Sequence, residues 1–292
     1  MSSPNQDIVI KDYIDRMPSL STTVTKVLEV CNTPNAAAND LNRVISLDPV
    51  LTGQVLKMIN SAYYSLPNQI SSLARAIIML GLNTVKNLAL STAVIGTLGK
   101  QASFKSLPMD SFWAHSICVG VTAKLLAGMK NVPVADREEY FVAGMLHDLG
   151  KIPLNNCFAD EYTQALQLAD LEQGALFRSE KLVVGIDHGA AGLLIGEKWQ
   201  LNAPLVESLC FHHSPEKATK ENSQIVAAVA LANHYANIYE IGFAGDLHPE
   251  SQSLLDVLDL MELHWDDLRV LDITVKSEIE KAQVFLQAVE KE

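Results

Sequence analysis

Apolar residues recur along this chain with a helical period nearly from end to end. Asp48-Pro49 reads as an N-cap followed by proline at the first helical position, and Leu51, Val55, Leu56 and Ile59 then form a stripe on one helix face. Ser72 precedes Leu73, Ala76, Ile77 and Leu80 in the same way, with Gly81 placed as a C-cap. No run alternates with period two between turn signals, so no sheet is predicted. The expected fold is all-α.

Residues 96–108, with Gly96, Gly99, Lys100, Gln101, Ser103 and Pro108, make a polar, turn-rich stretch. It divides residues 1–100, which contain no histidine, from residues 101–292, which hold every candidate ligand. The reading is a helical regulatory or docking subdomain followed by a helical metal-binding domain with a C-terminal helical extension, with a single core shared by the two as the alternative. Past about residue 245 the chain turns acidic. Asp256, Asp259, Glu262, Asp266, Asp267 and Asp272 interleave with Leu254, Leu255, Leu258, Leu260, Leu263 and Leu268, as amphipathic helices with a solvated acidic face do.

Composition narrows the function classes. The chain has 292 residues, enough to bury a proper core without a structural metal. Its 22 basic against 34 acidic residues give a net charge of -12, which disfavours nucleic acid and anionic membrane as partners. No secretory leader begins the sequence and no stretch reaches the roughly 20 apolar residues of a membrane span, so a cytoplasmic location is expected. Cys31, Cys118, Cys157 and Cys210 are scattered, without a CxxC pair, and read as buried thiols.

The candidate chemistry lies in an ordered set: His115, His147-Asp148, His188 and His212-His213. His115 sits among Phe112, Ile117, Val119, Val121 and Leu125. Phe141, Val142, Met145, Leu146 and Leu149 surround His147 and Asp148, and burying that pair is costly unless each is partnered or metal-bound. Asp148 has two oxygens with which to bridge two metals. Gly150 would let the backbone turn closely after the helix, and Lys151 would stand near the cluster or face solvent. Small residues Gly189, Ala190, Ala191 and Gly192 beside His188 permit close helix approach. Consecutive His212 and His213 point about 100° apart on a helix, so both reach one site only with two metals or where the helix ends, an end that Pro215 makes plausible. His234, His248 and His264 fall outside the set and read as structural or surface histidines.

At these residues the chain resembles the HD superfamily of metal-dependent phosphohydrolases, and its HDOD branch in particular. The order His115, His147-Asp148-Leu149-Gly150-Lys151, His188, His212-His213 is similar to that of HD-GYP cyclic-dinucleotide phosphodiesterases. Met17-Pro18-Ser19-Leu20, Asp48-Pro49-Val50-Leu51, Leu56, Asn60-Ser61-Ala62-Tyr63-Tyr64, Ile70-Ser71-Ser72, Ala74, Ala76-Ile77 and Leu80-Gly81 resemble the HDOD N-terminal signature. The resemblance spans roughly residues 12–240. It implies an HD-domain-like helical bundle and a bacterial signalling or regulatory role with a signalling protein as partner. It departs from active members at two places. Asn233 stands where the family's last aspartate ligand falls, and no glycine-tyrosine-proline loop follows His213, which argues against cyclic di-GMP as substrate.

The ligands implied are His115, His147, Asp148, His188, His212 and His213, around a dinuclear site for divalent or trivalent transition metal ions. Iron is the first expectation, with manganese or zinc as alternatives. If the site is catalytic, a metal-bound water attacks the phosphorus of a nucleotide or other phosphoester at Asp148, with Lys151 steadying the phosphate. Three readings remain: a signalling module that keeps its metal, a metal-dependent phosphohydrolase, and a metal-free interaction protein.

Overall fold

The computed structural model describes residues 4–32, 37–98 and 106–287, which hold eighteen α-helices and no strand. The all-α expectation holds. The first six helices are α1 (Pro4–Arg16), α2 (Thr22–Asn32), α3 (Ala38–Ile45), α4 (Pro49–Ile59), α5 (Leu73–Leu80) and α6 (Leu82–Leu98). The next eight are α7 (Met109–Met129), α8 (Arg137–Leu146), α9 (Lys151–Cys157), α10 (Ala159–Glu172), α11 (Leu176–Val183), α12 (His188–Lys198), α13 (Ala203–Phe211) and α14 (Ser223–Ile238). The chain closes with α15 (Ser251–Met261), α16 (Trp265–Arg269), α17 (Asp272–Ala282) and α18 (Val284–Gln287).

Local chemistry sets the helix ends as the sequence suggests. The Asp48 carboxylate accepts from Leu51 N at 2.9 Å with Pro49 at the first position, and Ser72 Oγ accepts from Arg75 N at 3.4 Å. Gly81 ends α5 at φ 87°, a left-handed angle that favours glycine. Of the expected stripe on α4, Leu51, Val55 and Ile59 are buried and Leu56 is partly so.

Helix α7 runs through the middle of the molecule and packs on α8, α14 and α17. Its length and apolarity would suffice for a membrane span, which composition did not lead us to expect, and 72% of its most apolar window is buried within the protein. Gly99, Lys100, Gln101 and Ser103 of the turn-rich stretch lie outside the described residues. Buried apolar residues from Ile10 to Phe285 form one continuous cluster. Two polar clasps join its early and late parts. Lys124 Nζ donates to Tyr63 Oη at 2.9 Å and Glu138 Oε2 at 2.6 Å, while Tyr64 Oη donates to Glu138 Oε1 at 2.8 Å. Lys198, the last residue of α12, donates to the carbonyls of Ile14, Asp15 and Met17 at 2.6 to 2.7 Å and so caps α1.

Two side-chain expectations need correction. Only Cys118 is fully buried, whereas Cys31, Cys157 and Cys210 are partly exposed because they sit at the margins of their helices' packed faces. Near the C-terminus Leu258 and Leu268 are buried and Leu254 and Leu263 partly buried, but Leu255 and Leu260 point outward with the acidic residues. The leucines are more numerous than one helix face can bury.

Candidate metal centre

Five of the six candidate ligands stand at helix ends. His147 is the C-cap of α8 and Asp148 follows it; His188 opens α12; His212 is the C-cap of α13 and His213 follows it. Only His115 projects from mid-helix, on α7. All are buried except the half-buried His213. Because α13 ends at Phe211, the two consecutive histidines escape the 100° divergence of a continuing helix, and their ring centroids lie 4.3 Å apart.

The donors form two groups, His188 with His212 and His213, and His115 with His147 and Asp148. Asp148 belongs to both. Its Oδ1 lies 3.4 Å from His188 Nε2 and 3.7 Å from His212 Nε2. Its Oδ2 lies 3.3 Å from His147 Nε2 and 3.8 Å from His115 Nε2.

The ring nitrogens on the far side fix which atoms point inward. His188 Nδ1 meets Glu180 Oε2 at 2.6 Å, His212 Nδ1 meets the Ser208 carbonyl at 3.0 Å, and His147 Nδ1 meets the Gly144 carbonyl at 2.6 Å. Each Nδ1 therefore carries the hydrogen, and Nε2 of a neutral ring carries a lone pair. His188 Nε2 nevertheless lies 3.2 Å from His212 Nε2 and 2.9 Å from His213 Nε2. A neutral His188 would face lone pairs. A protonated one has a single Nε2–H for His212, His213 and Asp148 Oδ1. A cation at the centre satisfies all four donors together.

His115 Nε2, His147 Nε2 and Asp148 Oδ1 are moreover buried without a hydrogen-bond partner. Stranding an acceptor in this way costs about 1–3 kcal/mol, so three in one place mark where a ligand belongs. The donors fit a transition metal, and nitrogen-rich sets disfavour magnesium.

Electrostatics agrees. Burial pushes the His115 imidazole down to about 3, and His147 beside it acts in the same direction. Burial, then the neighbouring imidazoles, hold His212 and His213 well below the usual histidine range. For His188 burial works downward but Glu180 outweighs it, so its pKa is raised. Burial works to raise Asp148, and His147 and Lys151 overcome it, leaving the carboxyl well below its usual range.

Gly150 closes the turn of residues 147–150 between α8 and α9, and Lys151 stands beside the cluster rather than facing solvent. Residue 150 has an ordinary helical φ of -62°, so the turn itself does not require glycine there. Glycine is needed because a Cβ there would lie 1.9 Å from the His188 carbonyl oxygen and 2.7 Å from Gly192 N. Lys151 is fully buried, and its three hydrogens go to Asp148 Oδ2 at 2.8 Å, the Ala244 carbonyl at 2.8 Å and Asp246 Oδ2 at 3.1 Å.

Asn233 and His234 line a cleft with His212, His213, Phe177 and Glu250. The Asn233 oxygen accepts from the Asn237 amide at 3.2 Å, and His234 Nε2 meets Ser253 Oγ at 3.1 Å. His248 pairs with Asp170 and His264 is exposed, both away from the set.

Sequence reasoning missed Glu180, Tyr162 and Asp246. Glu180 is fully buried and accepts from His188 N at 2.9 Å as well as from its ring, while Tyr162 Oη donates to its other oxygen at 3.0 Å. Each residue sits among ordinary surface-like neighbours in sequence. Its eight-residue spacing from His188 is the one local hint that Glu180 offers.

A family model for the HDOD domain matches residues 17–215, and the chain belongs to that family. Among solved structures, an HDOD domain protein of unknown function from Geobacter sulfurreducens is 26% identical with a TM-score of 0.75, over 96% of this chain and 97% of that one. A candidate phosphohydrolase from Shewanella amazonensis has a TM-score of 0.71 at 21% identity, over 96% and 98%. A candidate signal transduction protein from Marinobacter aquaeolei has 0.72 at 18%, over 98% and 66%. The chain also spans 43% of a Treponema pallidum protein of uncharacterised function, at 22% identity, and 35% of a Mycoplasmoides gallisepticum ribonuclease Y, at 24%. It thus spans less than half the length of these curated relatives.

Proposed function

We propose that this chain is a regulatory protein of signal transduction that keeps an HD-type metal centre with two positions sharing Asp148. The convergence of the His188, His212 and His213 Nε2 atoms within 3.2 Å of His188 carries the metal reading. His188, His212, His213 and Asp148 Oδ1 hold one position; His115, His147 and Asp148 Oδ2 form the other. Iron suits this donor set first, with manganese and zinc next. When bound, such an ion polarises a phosphoryl oxygen or makes a bound water acidic. The protein's own residues orient it: Glu180 and the Ser208 carbonyl fix two rings, and Lys151 fixes Asp148.

The regulatory role, exercised through a protein partner, is favoured by Lys151. With all three hydrogens taken, it reaches a phosphate only by releasing Asp246 or another acceptor. A neutral amide at Asn233 also contributes less to a second ion than a carboxylate does.

One observation favours phosphohydrolase action instead. The cleft lined by Phe177, Asn233, His234 and Glu250 reaches His212 and His213, so water has access to these rings, while its volume of about 20 Å³ means that a phosphoester enters only if the cleft widens.

Elemental analysis of untagged protein tests the first reading: a stoichiometric transition metal is expected, lost in His212→Ala. Its absence from native protein refutes the metal centre. A panel of nucleotides and cyclic dinucleotides tests the second. Metal-dependent turnover abolished by Asp148→Ala at unchanged helix content would establish an enzyme and displace the regulatory reading.

A further inference from the structure

We propose that the end of the α7–α8 pair remote from the metal centre carries a second ligand site, a half-open pocket that takes a small carboxylate whose apolar body is about one ring in size. At 1.5 Å per residue, the ten residues of α8 separate its Arg137 wall from His147 by roughly 15 Å. No candidate metal ligand lines the pocket, so the inference stands independently of the metal reading.

The pocket has a volume of about 140 Å³, several times that of the cleft at His212 and His213. A cavity of roughly 150 Å³ holds a benzene molecule, which sets the size of the occupant. Its apolar wall is the Tyr63 ring with Val121 and Leu125, and Lys124, Arg137 and Glu278 supply the charged part. Val121, Lys124, Leu125 and Gly128 follow one another at helical spacing on a single face of α7. Gly128 makes room for the guanidinium, in a position where alanine is ordinarily the better helix former. A Cβ there would have Arg137 Nη1 at 3.2 Å, Cζ at 3.6 Å and Nε at 3.9 Å as its nearest neighbours.

Charge selects an anion. Lys124 is paired with Glu138 at 2.6 Å, and Glu278 with Lys281 at 2.7 Å. Asp136 and Glu139, which flank the start of α8, are engaged elsewhere: Asp136 accepts from Asn83 at 3.0 Å, and Glu139 accepts from Asn202 at 2.5 Å with Lys86 at 3.7 Å. Among the described residues this leaves the half-buried Arg137 as the charged group of the pocket without an opposite charge beside it. Its Nε donates to the Val132 carbonyl at 2.7 Å, which holds the guanidinium in place and leaves Nη1 and Nη2, the pair that grips a carboxylate end-on, without a partner. Lys124 gives two hydrogens to Tyr63 Oη and Glu138 Oε2 and has a third for the same ligand. An occupant touches Tyr63, α7, α8 and α17 together, and so reinforces the clasp between the early and late parts of the chain.

Titration of the full chain with benzoate, followed by calorimetry and by amide chemical shifts, tests this. Benzoate should bind once per chain at about 1 mM or below, moving the signals of Leu125, Gly128 and Arg137. Benzyl alcohol, with the ring but no charge, and inorganic phosphate, with charge but no ring, should each bind at least about tenfold more weakly. Arg137→Gln should weaken benzoate at least about tenfold. Glu278→Gln, at a partly exposed position, removes a negative charge from the pocket and should strengthen benzoate about two- to fivefold. Treatment with chelator should leave the benzoate affinity unchanged. The proposal is overturned by the absence of saturable benzoate binding, by benzyl alcohol or phosphate binding as tightly as benzoate, or by a folded Arg137→Gln chain of unchanged affinity. Shifts centred on His212 and His213 that vanish with chelator would assign the carboxylate to the metal centre and overturn it too. If Arg137→Gln does not fold, Glu278→Gln and the two comparison probes decide. Failure of the metal reading would show in elemental analysis and leave these results untouched.

Discussion

Gly150→Ala tests how closely the metal centre depends on helix packing. The backbone there is ordinary, with φ -62°, so alanine meets no conformational strain. At an unobstructed site the exchange would even stabilise by about 0.4–1 kcal/mol through the unfolded chain. The obstacle is purely steric. A Cβ at residue 150 lies 1.9 Å from the His188 carbonyl oxygen, and that contact must open by about 1 Å to reach 3.0 Å, below which Cβ atoms are essentially never found. Both obstructing groups, the His188 carbonyl and Gly192 N, are backbone of the first turns of α12, so no side chain can rotate away. The helix has to move and carry His188 with it. Overpacking of this kind costs about 1–3 kcal/mol, or roughly 2–4 °C of Tm for each kcal/mol in a chain approaching this size. Metal–ligand distances tolerate about 0.2 Å, so metal affinity should fall at least about tenfold. Thermal unfolding without metal and a metal titration measure the two effects separately. Gly174→Ala is the control, since nothing lies within 4 Å of a Cβ there. A Gly150→Ala protein that matches wild type in both midpoint and affinity would refute the reasoning.

Glu180→Gln keeps a hydrogen-bond acceptor beside His188 but removes its charge, and should lower metal affinity about 10- to 100-fold in a competition titration; an unchanged constant would show that Glu180 does not tune the ring. The metal-free protein should lose stability as pH falls below 6.5, because the unfolded chain takes up a proton at His115 that the folded chain refuses until about 3. His212 and His213, also held low, act in the same direction, each contributing up to about 1.4 kcal/mol per pH unit. His188, raised, acts in the opposite direction as pH falls towards 6.5 and contributes no slope below it, where the three lowered rings act unopposed, while Asp148, held low, adds a loss only as pH falls through 3.8. Urea midpoints in chelator at pH 6.5 and 5.0 should therefore differ, the lower pH being the less stable, and equal midpoints would contradict the buried neutral rings. Lys198→Met removes three charged hydrogen bonds at the C-terminal end of α1 and should cost about 1–3 kcal/mol, with faster amide exchange in α1 as the diagnostic.

What the sequence revealed divides along a physical line. Caps at Asp48, Ser72 and Gly81 were legible because the chemistry that makes them spans four residues or fewer. That the candidate ligands would come together was legible because a histidine and an aspartate side by side in an apolar segment are too costly to bury without a partner. Glu180 was not, since Arg178 and Lys181 beside it give the segment the look of a solvated helix face; it is buried only because Tyr162 of α10 and His188 of α12 close over it. Asp246 was hidden for a similar reason, its partner Lys151 lying 95 positions away. Gly150 was noticed for the turn it occupies and not for the steric reason that requires glycine there, because a close approach to α12 leaves no trace in either segment alone.

The concentration of ligands at helix ends explains both what was legible and what the site can do. A residue in mid-helix has its direction set by the period, so His115 could be assigned to the buried side of α7 from its apolar neighbours. At a helix end the direction depends on the cap and on what packs across it. His147 is turned by the Gly144 carbonyl, His212 by the Ser208 carbonyl and His188 by Glu180, and none of these could be ranked from spacing. The arrangement also makes the centre a junction of separate helices rather than a patch on one. α12 runs from His188, inside the site, to Lys198, which grips the carbonyls that end α1. At 1.5 Å per residue an eleven-residue helix separates those ends by roughly 15 Å. A displacement of α1 would therefore reach the candidate ligand His188 through a single helix, the kind of link that the proposed regulatory role needs between the first helix and the proposed metal centre.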